Sequence, residues 1–304
     1  MNNKKNTVTA SFGAITAACI WGFAFVVVKD SLDYISPMYM LAIRFTIAFI
    51  GLVIFFNKKL KLITKEYIKY AIIISFFNFL AFALQTIGCQ YTTAGKNAFL
   101  TTIYVVLVPL IAWPLTKHKP GWYVFIAAFL SITGIALLSL SGGISTILTM
   151  NKGDVMSLLC GVGFALGIIF TGEFSKKNDT ITLTIVMMFF SAIFSWMVAP
   201  FMEGPLPLNA LVNPSVIASM LYIGVFSTLI AYLLQNYSLK YLPSSLATLF
   251  LSLESTFGML FSVIFLNEHL SVKMIIGCII IFSAILLAEN GEKIGKKKIQ
   301  GLKN

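Results

Sequence analysis

Long apolar runs separated by short polar loops make up nearly the whole chain. Ten runs can be read, at residues 11–29, 37–56, 68–90, 96–116, 121–140, 153–174, 181–201, 214–237, 243–266 and 272–290. Apolar runs of about 18 or more residues match the hydrocarbon thickness of a bilayer. The pattern therefore predicts an all-α integral membrane protein with ten transmembrane helices. The loops hold about a dozen residues at most, so they leave no room for a soluble catalytic domain.

A short motif occurs twice, once in each half of the chain. Cys-Ile-Trp-Gly-Phe-Ala at residues 19–24 returns as Cys-Gly-Val-Gly-Phe-Ala at residues 160–165, which is 141 residues later. Further along each half the offset is 150, which pairs Gln85 with Gln235 and Tyr91 with Tyr241. The change in offset indicates about nine additional residues in the second half, part of them in the loop at 203–208.

Each copy of the motif opens a set of five apolar runs, and five is an odd number. The second set then begins on the opposite side of the membrane from the first, so the two sets are inverted repeats. We predict a first five-helix repeat at 1–145, a second at 146–292 and a basic tail at 293–304. Inverted repeats are typical of transporters, whose substrate site lies near the midplane between the repeats.

Composition and charge agree with a membrane protein. The chain is 58% hydrophobic and 11% charged, whereas soluble domains carry about 25% charged residues. The net charge of +11 is unevenly placed, with 17 lysines on the side of the N-terminus and 4 on the other. This bias predicts that both termini lie in the cytoplasm and that the protein resides in the cell membrane. It also removes the nucleic-acid interpretation of the basic charge, leaving the lipid bilayer as the expected partner.

Two ionisable residues fall inside the apolar runs. Arg44 is about seven residues into the second run, and Glu254 is near the middle of the ninth. Such groups cost about 2.5–3.5 kcal/mol at a helix centre, and they are functional by default. We expect Glu254 to bind protons or a substrate amine, and Arg44 to orient Glu254 or hold a substrate carboxylate. The structural alternative is a Glu254 that bonds to a neighbouring helix or pairs with Arg44.

Polar positions with helical spacing form stripes on several runs. Asn78 and Gln85 are seven residues apart and share a face, as do their repeat counterparts Thr228 and Gln235. The predicted lining of one central cavity comprises Trp21, Asn78, Gln85, Asn97, Thr101, Tyr104, Phe164, Thr228, Tyr232 and Gln235. The alternatives are interhelical hydrogen bonds, worth about 0.6 kcal/mol each, and plain helix packing for Trp21 and Phe164.

Several short segments carry a family resemblance. They are Trp21-Gly22 in the first run, Arg44 in the second, Thr92 to Lys96 before the fourth, Leu253-Glu254, the segment from Phe265 to Leu270, and Gly277. With these the sequence resembles the drug/metabolite transporter superfamily, in its ten-helix branch of paired EamA domains. The family often has Pro after the Glu at 254, whereas Ser255 stands here, and often Gly where Asn267 stands. The break that the proline would give the ninth helix is therefore not expected in this chain.

The resemblance implies secondary transport of a small polar or amphipathic metabolite, with amino acids or related compounds and an outward direction favoured. Members of the superfamily also move nucleotide sugars, nucleosides and cationic drugs. The sequence has no phosphate-binding glycine loop, nucleophile–base set or metal-ligand cluster, so no enzyme activity, cofactor or metal is expected. An uncoupled facilitative carrier, a drug or nucleotide permease and a non-transporting membrane scaffold stay open as alternatives.

Overall fold

The computed structural model describes residues 2–117, 120–139, 151–206, 208–265 and, except for 274, 278 and 285, residues 272–287. Within these ranges every regular element is helical. The segment at 266–271, which includes Glu268 and His269, and the basic tail at 293–304 lie outside the described residues.

The helices of the first half follow the predicted runs closely. The first, second and third helices are Asn2–Ser31, Pro37–Phe56 and Lys65–Tyr91, with a 3₁₀ turn at Asn57–Leu62 between the second and third. The fourth helix has two pieces, Ala94–Thr101 and Tyr104–Thr116, and the fifth is Trp122–Ser139.

The second half repeats this order with one irregular helix. The sixth and seventh helices are Lys152–Ser175 and Thr180–Glu203, and a single turn at Leu208–Leu211 precedes the eighth. The eighth helix joins Pro214–Leu221, the π-helical Tyr222–Ile230 and Ala231–Tyr241. The ninth has two pieces, Ser244–Leu251 and Leu253–Phe265, and the apolar helix Ile275–Ala284 belongs to the tenth.

Eight of these helices are long and apolar enough to cross a membrane, as judged by length and composition. The fifth and tenth contribute shorter apolar stretches, Trp122–Gly134 and Ile275–Ala284. The prediction of an all-α membrane fold built from two five-helix repeats is confirmed. We call the side of the membrane that holds the N-terminus the proximal side, and the opposite one the distal side.

The fourth helix is interrupted near its middle by tight turns. The hydroxyl of Thr102 donates to the Ala98 carbonyl at 2.6 Å. The backbone amide of Thr102 donates at 3.0 Å to the carbonyl of Phe99, three residues back. This is a 3₁₀ hydrogen bond, not an α-helical one. The backbone therefore resumes as an α-helix at Tyr104, within the apolar run and not at its end.

The ninth helix is interrupted at Ser252, which is the repeat counterpart of Thr102. The expectation that this helix lacks a break is wrong. Serine hydroxyls interrupt the helix here by bonding to backbone carbonyls, without a proline. Ser252 donates to the Leu249 carbonyl at 2.7 Å, and Ser255 donates to the Ser252 carbonyl at 2.7 Å. Such side-chain bonds compete with the backbone ladder and tighten the helix locally. Glu254 is the second residue after this break.

The two repeats interlock through their opening helices. The first helix packs against the eighth and ninth, and the sixth helix packs in the same way against the third and fourth. Gly22 allows a close approach of the first helix to the ninth, since a Cβ there would lie 2.4 Å from the Phe257 Cβ and 2.8 Å from the Gly258 nitrogen. The counterpart Gly163 lies against Ala81 and the Phe77 carbonyl, each 3.0 Å from such a Cβ. The glycine of the duplicated motif is thus a contact between repeats.

The proximal half of the molecule is packed shut around the first helix. Ala10, Ala14, Ala17 and Ala18 are fully buried in one apolar cluster with residues from the eighth and ninth helices. The Ser238 hydroxyl also donates to the Ala10 carbonyl at 2.7 Å. Space in the interior is therefore found beyond these alanines, at midplane depth and toward the distal side.

Candidate functional site

A cavity of about 600 Å³, its opening included, lies among the first, second, third, fourth, sixth, eighth and ninth helices. Its wall is made by Trp21, Ala24, Phe25, Val28, Arg44, Phe82, Gln85, Thr86, Cys89, Asn97, Thr101, Tyr104, Phe164, Ile168, Ser227, Tyr232, Gln235 and Glu254. On the first and third helices this wall extends to Val28 and Cys89, close to the distal helix ends at Ser31 and Tyr91. The cavity therefore reaches from the midplane toward the distal side.

Most of the residues predicted to form the site lie in this wall. They are Trp21, Arg44, Gln85, Asn97, Thr101, Tyr104, Phe164, Tyr232, Gln235 and Glu254. The structure brings these together from seven helices, in both repeats. Two predicted residues, Asn78 and Thr228, are buried but are not part of the wall.

The positions of Asn78 and Thr228 have separate physical reasons. Asn78 faces the sixth helix, where its Oδ1 would lie 3.0 Å from a Cβ on Gly167, and its Nδ2 has no partner among the described residues. Thr228 lies behind Arg44 and accepts a hydrogen bond from its Nε at 2.9 Å. Thr228 therefore supports a residue of the wall instead of facing the cavity.

Arg44 is held in place without a carboxylate. The side chain is 2% exposed, and its Nη2 donates to the Ser227 hydroxyl at 3.2 Å in addition to the bond from Nε. The guanidinium carbon lies 4.5 Å from the centre of the Phe82 ring, an attractive cation–π distance. None of the ion pairs among the described residues includes Arg44. The remaining N–H donors of this planar fork are thus available to a ligand in the cavity.

The π-helical stretch of the eighth helix explains how Ser227 and Thr228 both reach Arg44. The hydroxyl of Thr228 donates to the Ile223 carbonyl five residues back, at 2.8 Å. The Ser227 carbonyl meanwhile accepts the indole N–H of Trp21 at 2.8 Å. A π-helical turn leaves carbonyls available to such partners, and these turns are frequent at functional sites. The irregular segment therefore fixes Arg44 and Trp21 together.

Glu254 occupies another part of the wall and is 5% exposed. The Tyr104 hydroxyl donates to its Oε1 at 2.9 Å, which is the one hydrogen bond to this carboxyl from the described residues. Tyr104 is the repeat counterpart of Glu254, so the two breaks bring corresponding positions into contact across the axis between the repeats. The alternative of a Glu254–Arg44 ion pair is not found, although both side chains face the same cavity.

A second polar group of the wall joins the third and fourth helices. The side-chain amide of Gln85 donates from Nε2 to the Thr101 hydroxyl at 3.2 Å. The Nδ2 of Asn97 donates to the backbone carbonyl of Gln85 at 2.8 Å. The hydroxyl of Thr101 also lies 3.4 Å from the Cys160 sulfur of the sixth helix. The interhelical bonding named as the alternative role of Gln85, Asn97 and Thr101 is therefore present, and it occurs within the cavity wall.

Aromatic rings form much of the remaining wall. Trp21 meets Tyr232 edge to face at a centroid distance of 5.8 Å, and Phe82 meets Phe164 at 5.0 Å in the same manner. Phe82 also lies 6.1 Å from Tyr232, which is its repeat counterpart. Rings with this geometry present both faces and edges to a ligand, so the wall suits an amphipathic solute.

Two groups of polar contacts tie the helix ends on the distal side. Lys29 Nζ binds the carbonyls of Cys89 and Thr92 at 2.8 Å each, which joins the first helix to the end of the third. Lys96, from the segment that resembles the family, pairs with the fully buried Asp154 at 2.6 Å. Asp154 also accepts from the Thr92 hydroxyl at 2.8 Å and forms a capping box at the start of the sixth helix. These contacts hold the distal ends of the first, third, fourth and sixth helices together.

A corresponding group closes the proximal side. Lys59 pairs with Asp179 at 2.8 Å, and the Asp179 amide donates to the Tyr67 hydroxyl at 2.8 Å. Burial raises the pKa of Asp179, but hydrogen bonds from Lys59 and Thr182 outweigh burial and hold this pKa below the ordinary aspartate range. The ionised carboxylate thus caps the seventh helix and links it to the loop before the third.

Several residues of the wall were not identified from the sequence. Phe82 could have been found, because its repeat counterpart Tyr232 was predicted to line the cavity. Ser227, Thr86 and Cys89 carry no such signal, since small polar residues in apolar runs are ordinary packing residues. Within the described residues, no group of three or more His, Cys, Asp or Glu side chains could hold a metal ion.

Comparison with known proteins gives matches over nearly the full length. The EamA-like transporter family matches residues 8–140 and residues 151–289. A protein of Archaeoglobus fulgidus described as an uncharacterized transporter is 33% identical over 278 residues, covering 91% of this chain and 85% of its own length. The uncharacterized transporter YcxC of Bacillus subtilis is 23% identical, with 93% of each chain covered.

A solved crystal structure also resembles this chain. Its TM-score is 0.72 at 15% sequence identity, and the match covers 92% of this chain and 96% of the other. At this identity the likeness shows the fold alone. The sequence relatives also bear on function, because their names describe transporters and not enzymes.

Proposed function

Because the chain belongs to the EamA-like transporter family, we propose that it is a secondary transporter that moves an amino acid or a related amphipathic metabolite outward. Transport would proceed by alternating access of the central cavity to the two sides of the membrane. The proposed location is the cell membrane with both termini in the cytoplasm, so that the distal side is external. The proposed units are the repeats at 1–145 and 146–292.

The observation that carries the substrate proposal is the pair of opposite charges in one cavity wall. Arg44 and Glu254 are both almost fully buried, and neither takes part in an ion pair among the described residues. An arginine fork of this kind binds a carboxylate in a bidentate manner, and a buried carboxylate binds an ammonium group. A zwitterion would supply both partners, while the aromatic rings around Trp21 and Phe82 would contact its apolar part.

Glu254 is the proposed coupling group. Among the described residues it is the one carboxyl in the wall, it is the second residue after the break in the ninth helix, and Tyr104 already binds one of its oxygens. A protonated Glu254 would have no charge to offer an ammonium group, so proton and substrate would compete for the same oxygen. Such competition is the simplest way in which an outward flux is driven by inward proton movement.

The test is efflux from proteoliposomes loaded with amino acids, nucleosides and cationic drugs, with and without an imposed pH gradient. We expect selective loss of amino acids, accelerated by the gradient. Glu254→Gln is expected to lose the acceleration, because the amide cannot exchange a proton at these pH values. Tyr104→Phe is the matched control, since it removes the hydrogen bond but keeps the carboxyl, and it is expected to retain the acceleration.

Each other outcome contradicts a different part of the proposal. Gradient-independent efflux by the wild-type chain would replace coupled transport with facilitative diffusion. Selective loss of nucleosides or drugs would contradict the zwitterionic substrate. If no loaded solute leaves, and a membrane protein partner copurifies, a scaffold role would replace transport.

A further inference from the structure

Four residues around the distal part of the cavity have counterparts in the other repeat whose surroundings differ from their own. With the offsets of 141 for the first helix and 150 for the third and fourth, Val28 corresponds to Ile169, Thr86 to Asn236, Cys89 to Leu239 and Asn97 to Ala247. The first member of each pair lies in the cavity wall, whereas none of the second members does. Corresponding positions of the two repeats therefore have different surroundings in this structure: those of the first repeat face the cavity and those of the second do not.

The counterparts lie together at the proximal ends of their helices. Ile169, Leu239 and Ala247 are at most 2% exposed and belong to one apolar cluster, to which Leu242 and Leu246 also belong. The sixth, eighth and ninth helices meet there as the first, third and fourth meet around the distal part of the cavity. This junction is tightly closed in the present state.

Gly172 marks the closest approach at this junction. A Cβ on Gly172 would lie 2.6 Å from the Ser244 hydroxyl, 3.9 Å from the Ser244 Cβ and 3.8 Å from a Leu239 methyl carbon. The proximal ends of the sixth and ninth helices are therefore in direct contact, with Leu239 beside them.

Asn236 is a polar residue that this closed packing does not satisfy. It is fully buried, and its Nδ2 donates to the Thr184 hydroxyl at 2.8 Å. Its Oδ1 has no hydrogen-bond partner among the described residues. A buried amide oxygen without a partner is unfavourable, which favours a second state in which water or a solute reaches it. Its counterpart Thr86 is in contact with the cavity here.

We propose that the junction formed by Ile169, Asn236, Leu239 and Ala247 is the second mouth of the cavity, closed here and opened toward the proximal side in the alternate state. In that state the second repeat adopts the arrangement that the first repeat has here, and Asn236 takes the wall position that Thr86 occupies now. The inference rests on the proposed alternating-access function, whose mechanism it specifies by residue.

The first experiment measures thiol access in sealed membrane vesicles. Leu239→Cys is reacted with a membrane-impermeant maleimide added to the proximal side. The labelling of the wild-type chain, which has four cysteines, is subtracted as background. Leu183→Cys is the matched control, because Leu183 is equally buried near the proximal end of the seventh helix but is no counterpart of a wall residue. We expect labelling of Leu239→Cys and none of Leu183→Cys.

The second experiment locks the junction. The 3.9 Å between the Cβ positions of residues 172 and 244 lies within the range of about 3.5–4.5 Å that disulfides require. Oxidation of a chain with Gly172→Cys and Ser244→Cys, combined with Leu239→Cys, is expected to abolish the labelling at 239. Reduction is expected to restore it, which separates the lock from a folding defect.

The outcomes separate this inference from the proposed function. Labelling at 239 that the disulfide does not block, or that is no faster than at 183, would overturn the second mouth. Efflux of amino acids by the wild-type chain is measured in parallel. Efflux without labelling at 239 contradicts the second mouth alone, whereas labelling that responds to the disulfide without any efflux contradicts the proposed function alone.

Discussion

Arg44 is the side chain whose replacement best tests how the substrate is recognised. Arg44→Gln removes the charge and the fork, and we expect it to abolish efflux of solutes that carry a carboxylate. Arg44→Lys keeps the charge as a point donor, so we expect a partial loss of about tenfold to a hundredfold, equivalent to about 1.4–3 kcal/mol for a charge-assisted bond. The measurement is efflux of an amino acid compared with that of the corresponding amine.

The comparison between the two solutes also controls for folding. A damaged protein loses both fluxes, whereas a lost carboxylate contact affects the amino acid alone. Equal loss of both fluxes in Arg44→Lys would assign Arg44 a structural role through Ser227, Thr228 and Phe82.

The individual wall residues show what a single sequence can predict. Arg44 and Glu254 were identifiable because an ionisable side chain in an apolar run is costly and rare. Asn78 and Thr228 were predicted from the same face as Gln85 and Gln235, yet they lie outside the wall. A seven-residue spacing gives the face of a helix but not its rotation against its neighbours, which depends on packing that no local pattern encodes.

Gly22 is the contact by which the first helix meets the ninth, and its replacement tests how closely these helices must pack. Gly22→Ala puts a Cβ 2.4 Å from the Phe257 Cβ and 2.9 Å from its backbone carbon, so a helix must shift. Overpacking of this kind costs about 1–3 kcal/mol. We expect a lower Tm in thermal unfolding of the detergent-solubilised protein.

The matched control for Gly22 is Gly258, from the same helix contact. A Cβ on Gly258 would lie 3.4 Å from the Ala98 Cβ and 3.6 Å from the Gly22 carbonyl, which are ordinary contact distances. Gly258→Ala is therefore expected to keep a Tm close to that of the wild-type chain. A Gly22→Ala variant that unfolds at the same temperature as Gly258→Ala would argue against the close contact.

The helices differ in how far their shape could be predicted. Their number and approximate ends follow from apolar length, and the first, second, third, sixth and seventh are continuous as expected. The break at Ser252 was not predicted, because the segment lacks the proline that often follows this Glu in the family. Hydroxyl-to-carbonyl bonds from serine also interrupt a helix. The π-helical segment at Tyr222–Ile230 has no recognisable sequence pattern, since it depends on Arg44 and Trp21 from other helices.

The proposed orientation of the whole molecule rests on the lysines, of which the predicted loops carry 17 on the side of the N-terminus and 4 on the other side. We expect a green fluorescent protein fused to the C-terminus to fluoresce and an alkaline phosphatase fused there to be inactive, because the former folds in the cytoplasm and the latter outside it. The opposite result would invert the proposed topology and, with it, the assignment of the distal side as external.

Acid should weaken the connection between the two repeats at the proximal side. Because the pKa of Asp179 is lower in the folded chain than the unfolded value of about 3.9, its ion pair with Lys59 stabilises the fold above that pH. The contribution is lost as the pH falls through the folded pKa. Asp179→Asn keeps a capping oxygen but no charge, so its Tm should be lower than the wild-type value near pH 7, and the difference should shrink as the pH falls below about 3.9 toward the folded pKa.

The control for Asp179 is Glu173→Gln, which removes an exposed carboxylate that pairs with Lys176 nearby. Exposed pairs contribute little, so its Tm should match that of the wild-type chain near pH 7 and near pH 3 alike. A Tm difference for Asp179→Asn that is unchanged by pH would contradict the ionised role of Asp179.

The π-helical segment has a consequence for the energetics of transport. Tyr222–Ile230 belongs to the second repeat, and its counterpart in the third helix is regular. If the repeats exchange arrangements during transport, a distortion that exists in one of them makes the two end states unequal in free energy. The empty carrier should then spend unequal times facing inside and outside, and its apparent affinities on the two sides should differ even without a gradient.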